Sequence, residues 1–473
     1  MWQAITHPVQ EDNVRMYRSS LSYLGKLFAL LGGTCLIASG QMPAATWCVN
    51  IGGTGGCKST IGAAVAAASA GDVIQVAAGT FAEDVIIQKS LSLVGAGIGV
   101  TTIDATGQPN GIFIDGTGSS PQTGVGTVVI TGFTIENANF EGILVAGATN
   151  VTISQNEVKN NNLTLSTGCP GLPAFETNEA LDCGEGVHLM GADHSIVADN
   201  LIHNNAGGIL ISDETGPNYE NLITRNTVTL NAYDCGITLA SHSPASLSNR
   251  TSPYNWGVFQ NTISNNESSS NGLANGGGAG IGLFAPGPGA VTYGNVVIAN
   301  TITGNGLPGV AMHNHLGVSA SGTVGIIFDD NSIIGNTIRL NGADSGDAAT
   351  AGPTGINIYS VGYMTGTVVA QNVIDHESIG LAVNVPILWN VPAIQVHLND
   401  FAPFGFRPYL QGVSNTGTAL VDATENWWGC SSGPQALSGC AKASSGVNFM
   451  PWLMAPASSP SIRTGPTPLL HVQ

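Results

Sequence analysis

Four carboxylates crowd the stretch from 176 to 185, Glu176, Glu179, Asp182 and Glu185, and His188 follows directly, with Asp213 and Glu214 further along the chain. Clustered carboxylates in a carbonyl-rich loop suit calcium, which takes about six to eight oxygen ligands. The same residues also read as a solvated acidic loop. A second set is aromatic and imidazole: Phe284, His313, His315 and Tyr359, with Asn357 beside the tyrosine. Aromatic faces meet sugar C–H groups, while imidazole exchanges hydrogen bonds with hydroxyls or carboxylates. His313 and His315 also offer two nitrogens to copper or zinc, without a third ligand in the pattern. Sulfur completes the inventory. Cys48 and Cys57 bracket one Gly-rich loop, Cys430 and Cys440 another, Cys169 and Cys183 share an insertion, and Cys235 is odd. Disulfides at both ends and a free thiol at Cys235 are the expectation.

Positioning these groups falls to a repeat. The phrase Asn-x-apolar-x-x-Asn returns at Asn156–Asn161, Asn200–Asn205, Asn226–Asn231, Asn261–Asn266, Asn300–Asn305 and Asn336–Asn341, with a degenerate copy from Asn372 to Glu377. First-Asn spacings of 44, 26, 35, 39 and 36 residues fit a roughly 22–26-residue unit with insertions, the coil of a parallel β-solenoid. A third strand reads Gly-apolar-x-apolar, as in Gly186-Val-His-Leu, Gly309-Val-Ala-Met and Gly355-Ile-Asn-Ile. Three short strands per unit make a three-sided coil, and stacking brings each Asn to its counterpart about 4.8 Å away, in reach of an amide ladder. Asn also suits the left-handed backbone of a tight corner. The Asn columns are therefore structural. On the third strand, the second residue after the glycine faces outward (His188, Asn357), as does the fourth (Phe284, His313, Tyr359), which places the last three on consecutive coils.

Composition agrees. Gly is 64 of 473 residues and charged residues are 9%, which suits a turn-dense all-β chain. The net charge of −18 repels phosphate backbones and argues against nucleic acid. Residues 1–45 carry Arg15, Arg18 and Lys26 ahead of an apolar run from Leu27, the pattern of a secretory signal too short for a stable membrane span. Residues 46–110 read as a cap with the first coils, 111–395 as the repeats, 396–455 as a C-terminal coil with a Trp-rich cap, and 456–473 as a disordered tail. Ser59 is expected to N-cap a helix over 60–69 that covers the first coil. Trp427, Trp428 and Trp452 are expected to cover the last.

The two ends of the repeat region read Trp47 to Cys57, Ala70-Gly-Asp-Val-Ile-Gln-Val76 and Ala78-Gly-Thr-Phe81 on one side and Ala423-Thr-Glu-Asn-Trp-Trp-Gly429 on the other. These residues resemble the ends of secreted right-handed parallel β-helix proteins of the pectin-lyase-like superfamily. The Asn repeat is similar to the NosD-type repeat. The resemblance implies an all-β, single-stranded right-handed parallel β-helix with a short N-terminal capping helix, and it implies a substrate groove on the outward face of the third strand. It does not carry a catalytic set. The lyase arginine motif and the methylesterase Gln-Asp pair are missing, and Asp329-Asp330 stands without the companions a polygalacturonase would bring. Two functions follow: a secreted protein that binds or processes an extended polysaccharide along its groove, or a non-catalytic extracellular solenoid of the surface or adhesion type. A NosD-like metal role is more distant.

Overall fold

The computed structural model describes residues 44–117, 124–162, 184–241, 256–274, 277–285, 289–314, 327–346, 348–387, 392–402, 411–434 and 439–457. Residues 1–43 of the expected export segment, Cys169, Cys183, Glu176, Glu179, Asp182, His315 and the tail from 458 onward lie outside these.

From Ala44 the chain winds into a right-handed parallel β-helix. Among the described residues its coils build sheets of 14, 12 and 11 strands, and a small sheet of three. One coil shows the order. Thr149–Ser154 lies in the 14-stranded sheet, Glu157–Lys159 in the 11-stranded sheet and Glu185–Met190 in the 12-stranded sheet. The next coil repeats it with Ile196–Ala198, Leu201–His203 and Gly207–Ser212, every pairing parallel. Inward positions stack like on like: Val158, Ile202, Val228, Ile302, Ile338 and Ile374 form one buried column.

The Asn ladders form as expected, and there are more of them. Asn200 Nδ2 donates to Asn226 Oδ1 at 3.0 Å, Asn226 to Asn266 at 3.0 Å, Asn266 to Asn300 at 3.0 Å and Asn300 to Asn336 at 3.0 Å. A second column runs Asn205, Asn231, Asn271, Asn305, Asn341 and ends on the Glu377 carboxylate. A third runs Asn221, Asn261, Asn295, Asn331. The unit expected at Asn261–Asn266 is therefore offset by one corner, because Asn266 and Asn271 occupy the two columns assigned to Asn261 and Asn266. The apolar Ile263 made the first pair look like the repeat. In the fold Ile263 pairs with Ile223 and Val297, and Ser268 takes the core position between Val228 and Ile302. Its hydroxyl is satisfied by donating to Gly280 O at 2.7 Å.

The ladder residues are not the left-handed ones. That conformation sits one residue earlier, at Asp199 (φ 58°), Arg225 (55°), Asn265 (55°) and Ala299 (58°). The corner thus has two parts, a left-handed residue that turns the chain and an Asn whose amide ties neighbouring turns. Asp199 and Arg225, stacked at this corner, pair through two bonds of 2.8 and 2.7 Å on the exposed surface.

At the N-terminal end the capping helix spans Ile61–Ala67 with Ile61, Ala64 and Val65 buried. Its N-cap is Thr60 rather than Ser59: Thr60 is extended and its hydroxyl accepts from Ala63 N at 3.1 Å. Glu83 adds a second cap, its two oxygens accepting from Ile61 N and Gly62 N at 2.7 and 2.8 Å. At the far end Trp428 is fully buried between Phe401 and Phe449, and Trp452 packs on Phe449. Cys48–Cys57 and Cys430–Cys440 are bonded. Cys235 is a free, buried thiol, and burial, with Asp234 beside it, pushes its pKa up.

Candidate functional site

The outward face of the 12-stranded sheet carries His188, Phe284, His313, Asn357 and Tyr359. Phe284 pairs with His313 and His313 with Tyr359, on three consecutive coils. The Phe284 and His313 rings meet edge to face at 4.8 Å. Phe284 and Tyr359 are partly exposed, whereas His313 is buried. His313 Nε2 lies 4.0 Å from Asp344 Oδ2, a buried carboxylate that also accepts from Gly346 N at 2.8 Å. Asn357 faces outward but is covered, and its amide donates to Ala348 O at 2.8 Å. It therefore serves to hold the segment after Asp344 against the face.

Toward the N-terminal end the face changes character. Leu144, Ala146, Met190 and Phe113 form an apolar cluster outside the main core. Beside it His188, 1% exposed, is enclosed by polar groups. Its Nδ1 lies 3.3 Å from Glu141 Oε1 and its Nε2 lies 2.7 Å from Ser212 Oγ, which in turn donates to Glu214 Oε2. Glu185, the one member of the expected calcium set within the described residues, is also buried and lies in this group. One coil on, the buried Asp213 accepts from Ser241 Oγ at 2.7 Å.

Sequence reasoning placed His188 on this face but not Glu141. Glu141 precedes the coil glycine Gly142 and so falls outside the counted outward positions. The signal was available, since Glu141 and Glu185 each stand immediately before a coil glycine. Asp329 and Asp330 are structural: Asp329 accepts from Thr365 N at 2.7 Å, and Asp330 is a left-handed corner residue.

Residues 110–285 match the family described as a right handed beta helix region. No curated protein matches the chain by sequence. Among solved structures it is similar to the Dettilon tailspike protein (14% identity, TM-score 0.53, covering 80% of this chain and 62% of that one). It is also similar to an alginate lyase from Paenibacillus (16%, 0.42, covering 66% and 92%) and to the A-module of a mannuronan C-5 epimerase from Azotobacter vinelandii (14%, 0.44, covering 76% and 95%). At these identities the likeness is one of fold. The chain folds as a right-handed parallel β-helix.

Proposed function

We propose that this protein binds an extended polysaccharide along the outward face of its 12-stranded sheet, with the partly exposed Phe284 and Tyr359 as contacts two coils apart and the buried His313 between them as their support. The observation that carries this is their register: one residue per coil, in one column, with the two aromatics partly open on either side of the imidazole. Coils about 4.8 Å apart set the outer two about 9.6 Å apart, near the span of two sugar rings along a polymer. A repeating ligand fits a repeating surface. Secretion is part of the same reading, supported by the two disulfides, which persist in oxidising compartments.

Affinity electrophoresis against acidic and neutral polysaccharides, with and without calcium, tests it. The parent should be retarded by at least one glycan, and the Phe284→Ala/Tyr359→Ala double variant should lose most of that retardation while keeping its melting temperature. Following reducing ends and ultraviolet absorbance in the same mixtures separates processing from binding. Should the parent bind no glycan, or the double variant bind as the parent does, the non-catalytic solenoid takes its place.

A further inference from the structure

The geometry points to a divalent transition-metal site, zinc by preference, formed by Glu141, Glu185 and His188. Two adjacent coils supply it: Glu141 precedes the strand Ile143–Ala146, and Glu185 and His188 lie on Glu185–Met190, paired beside it. Candidate ligand atoms of all three lie within 4.8 Å of one another. The residues are 0%, 1% and 1% exposed.

Hydrogen accounting supplies the second observation. Ser212 Oγ gives its hydrogen to Glu214, so toward His188 it accepts, and the imidazole proton is fixed on Nε2. In the neutral imidazole Nδ1 then turns its lone pair toward Glu141 Oε1 at 3.3 Å. Two acceptors so placed repel unless a cation lies between them. Glu141 Oε2 is buried in the same cluster without a hydrogen-bond partner. A fully buried Glu141 carboxylate with one oxygen unpartnered is costly in a low-dielectric interior.

A tetrahedral ion with ligands at about 2.0–2.1 Å has ligand edges of about 3.4 Å, close to the observed 3.3 Å. Calcium is disfavoured, because it takes only oxygen ligands and more of them. A mixed imidazole and carboxylate set suits zinc, which outcompetes manganese and iron for such donors. Ser212 and Glu214 orient the imidazole through its other nitrogen, as outer partners of metal-bound His residues do. The site is separate from the Phe284–His313–Tyr359 column and does not rest on polysaccharide binding.

Full-length protein stripped with chelator and titrated calorimetrically with zinc chloride should bind one zinc per chain. Zinc should raise the melting temperature. Glu141→Gln and His188→Gln, each shown to be folded by circular dichroism, should weaken binding at least tenfold, and Ser212→Ala by less. Substoichiometric zinc uptake by the parent overturns the proposal and leaves protonated His188 as the cation. So does a Glu141→Gln protein that binds zinc as the parent does. A response to calcium chloride but not zinc also overturns it and returns the question to the carboxylates of the preceding insertion.

Discussion

At the scale of single residues, buried charge decides what pH does to this protein. Asp84 lies against the N-terminal coils with Oδ1 unpartnered, and burial pushes its pKa up to about 6 from an ordinary 3.8. The folded state therefore holds a proton that the unfolded chain has already released between those values, so stability falls as pH rises from about 4 through about 6. Asp84→Asn removes the ionisable group. Its melting temperature should fall less than the parent's across that interval and exceed the parent's by a few degrees at pH 7. Parallel parent and variant curves from pH 4 to 7 would show that the carboxyl is not desolvated in solution. The exposed Asp199–Arg225 pair, by contrast, contributes little despite its good geometry, because solvent screens it.

At the scale of elements, the corner is the unit that matters. Asn300 donates through its backbone N and Nδ2 to Asn336 Oδ1 and through Nδ2 to Ile263 O, and its own Oδ1 accepts from Asn266 N and Nδ2. Every amide in the column is both donor and acceptor, so removing one strands groups on both neighbouring coils. Each buried group left unsatisfied costs about 1–3 kcal/mol. Asn300→Ala should therefore destabilise the protein by about 3 kcal/mol or more in urea unfolding. A loss under about 1 kcal/mol would mean that water replaces the ladder. Glu377, at the end of the second column, shows what the position demands: a carboxylate oxygen accepts from Asn341 N and Nδ2 as an Asn oxygen would.

At the scale of the molecule, each coil touches mainly its neighbours, so cooperativity passes along the axis and the ends fray first. Trp428 closes the last coils, fully buried against Phe401 and Phe449. Trp428→Ala should cost about 3–5 kcal/mol. Its effect should be local. Hydrogen exchange should quicken in Gln411–Asn415 and Ile394–His397 while the strands around Ile61–Ala67 keep the parent's protection. Uniform acceleration along the whole chain would show that the solenoid unfolds as one unit.

The chain by itself determined the coil. Recurrent Asn and coil glycines report directly on a fold in which equivalent residues stack, and the glycines fixed the third-strand register closely enough to put Phe284, His313 and Tyr359 on consecutive coils. The same periodicity misled at one place. Asn261, Asn266 and Asn271 recur every five residues, as do Asn221, Asn226 and Asn231, and a motif of two Asn residues fits either pair. Only the stacked neighbours decided, because an amide pairs with whatever lies on the next coil, and Ser268 was tolerated in the core since Gly280 O accepted its hydroxyl hydrogen. Tertiary structure alone also joined Glu141 to His188. They lie 47 residues apart, and the length of sequence between two repeats does not report which residues of the flanking coils come to touch. Nor does alternation report cover: outward-facing His188, His313 and Asn357 are buried, because burial of an outward side chain depends on what folds across the face, which strand periodicity does not encode.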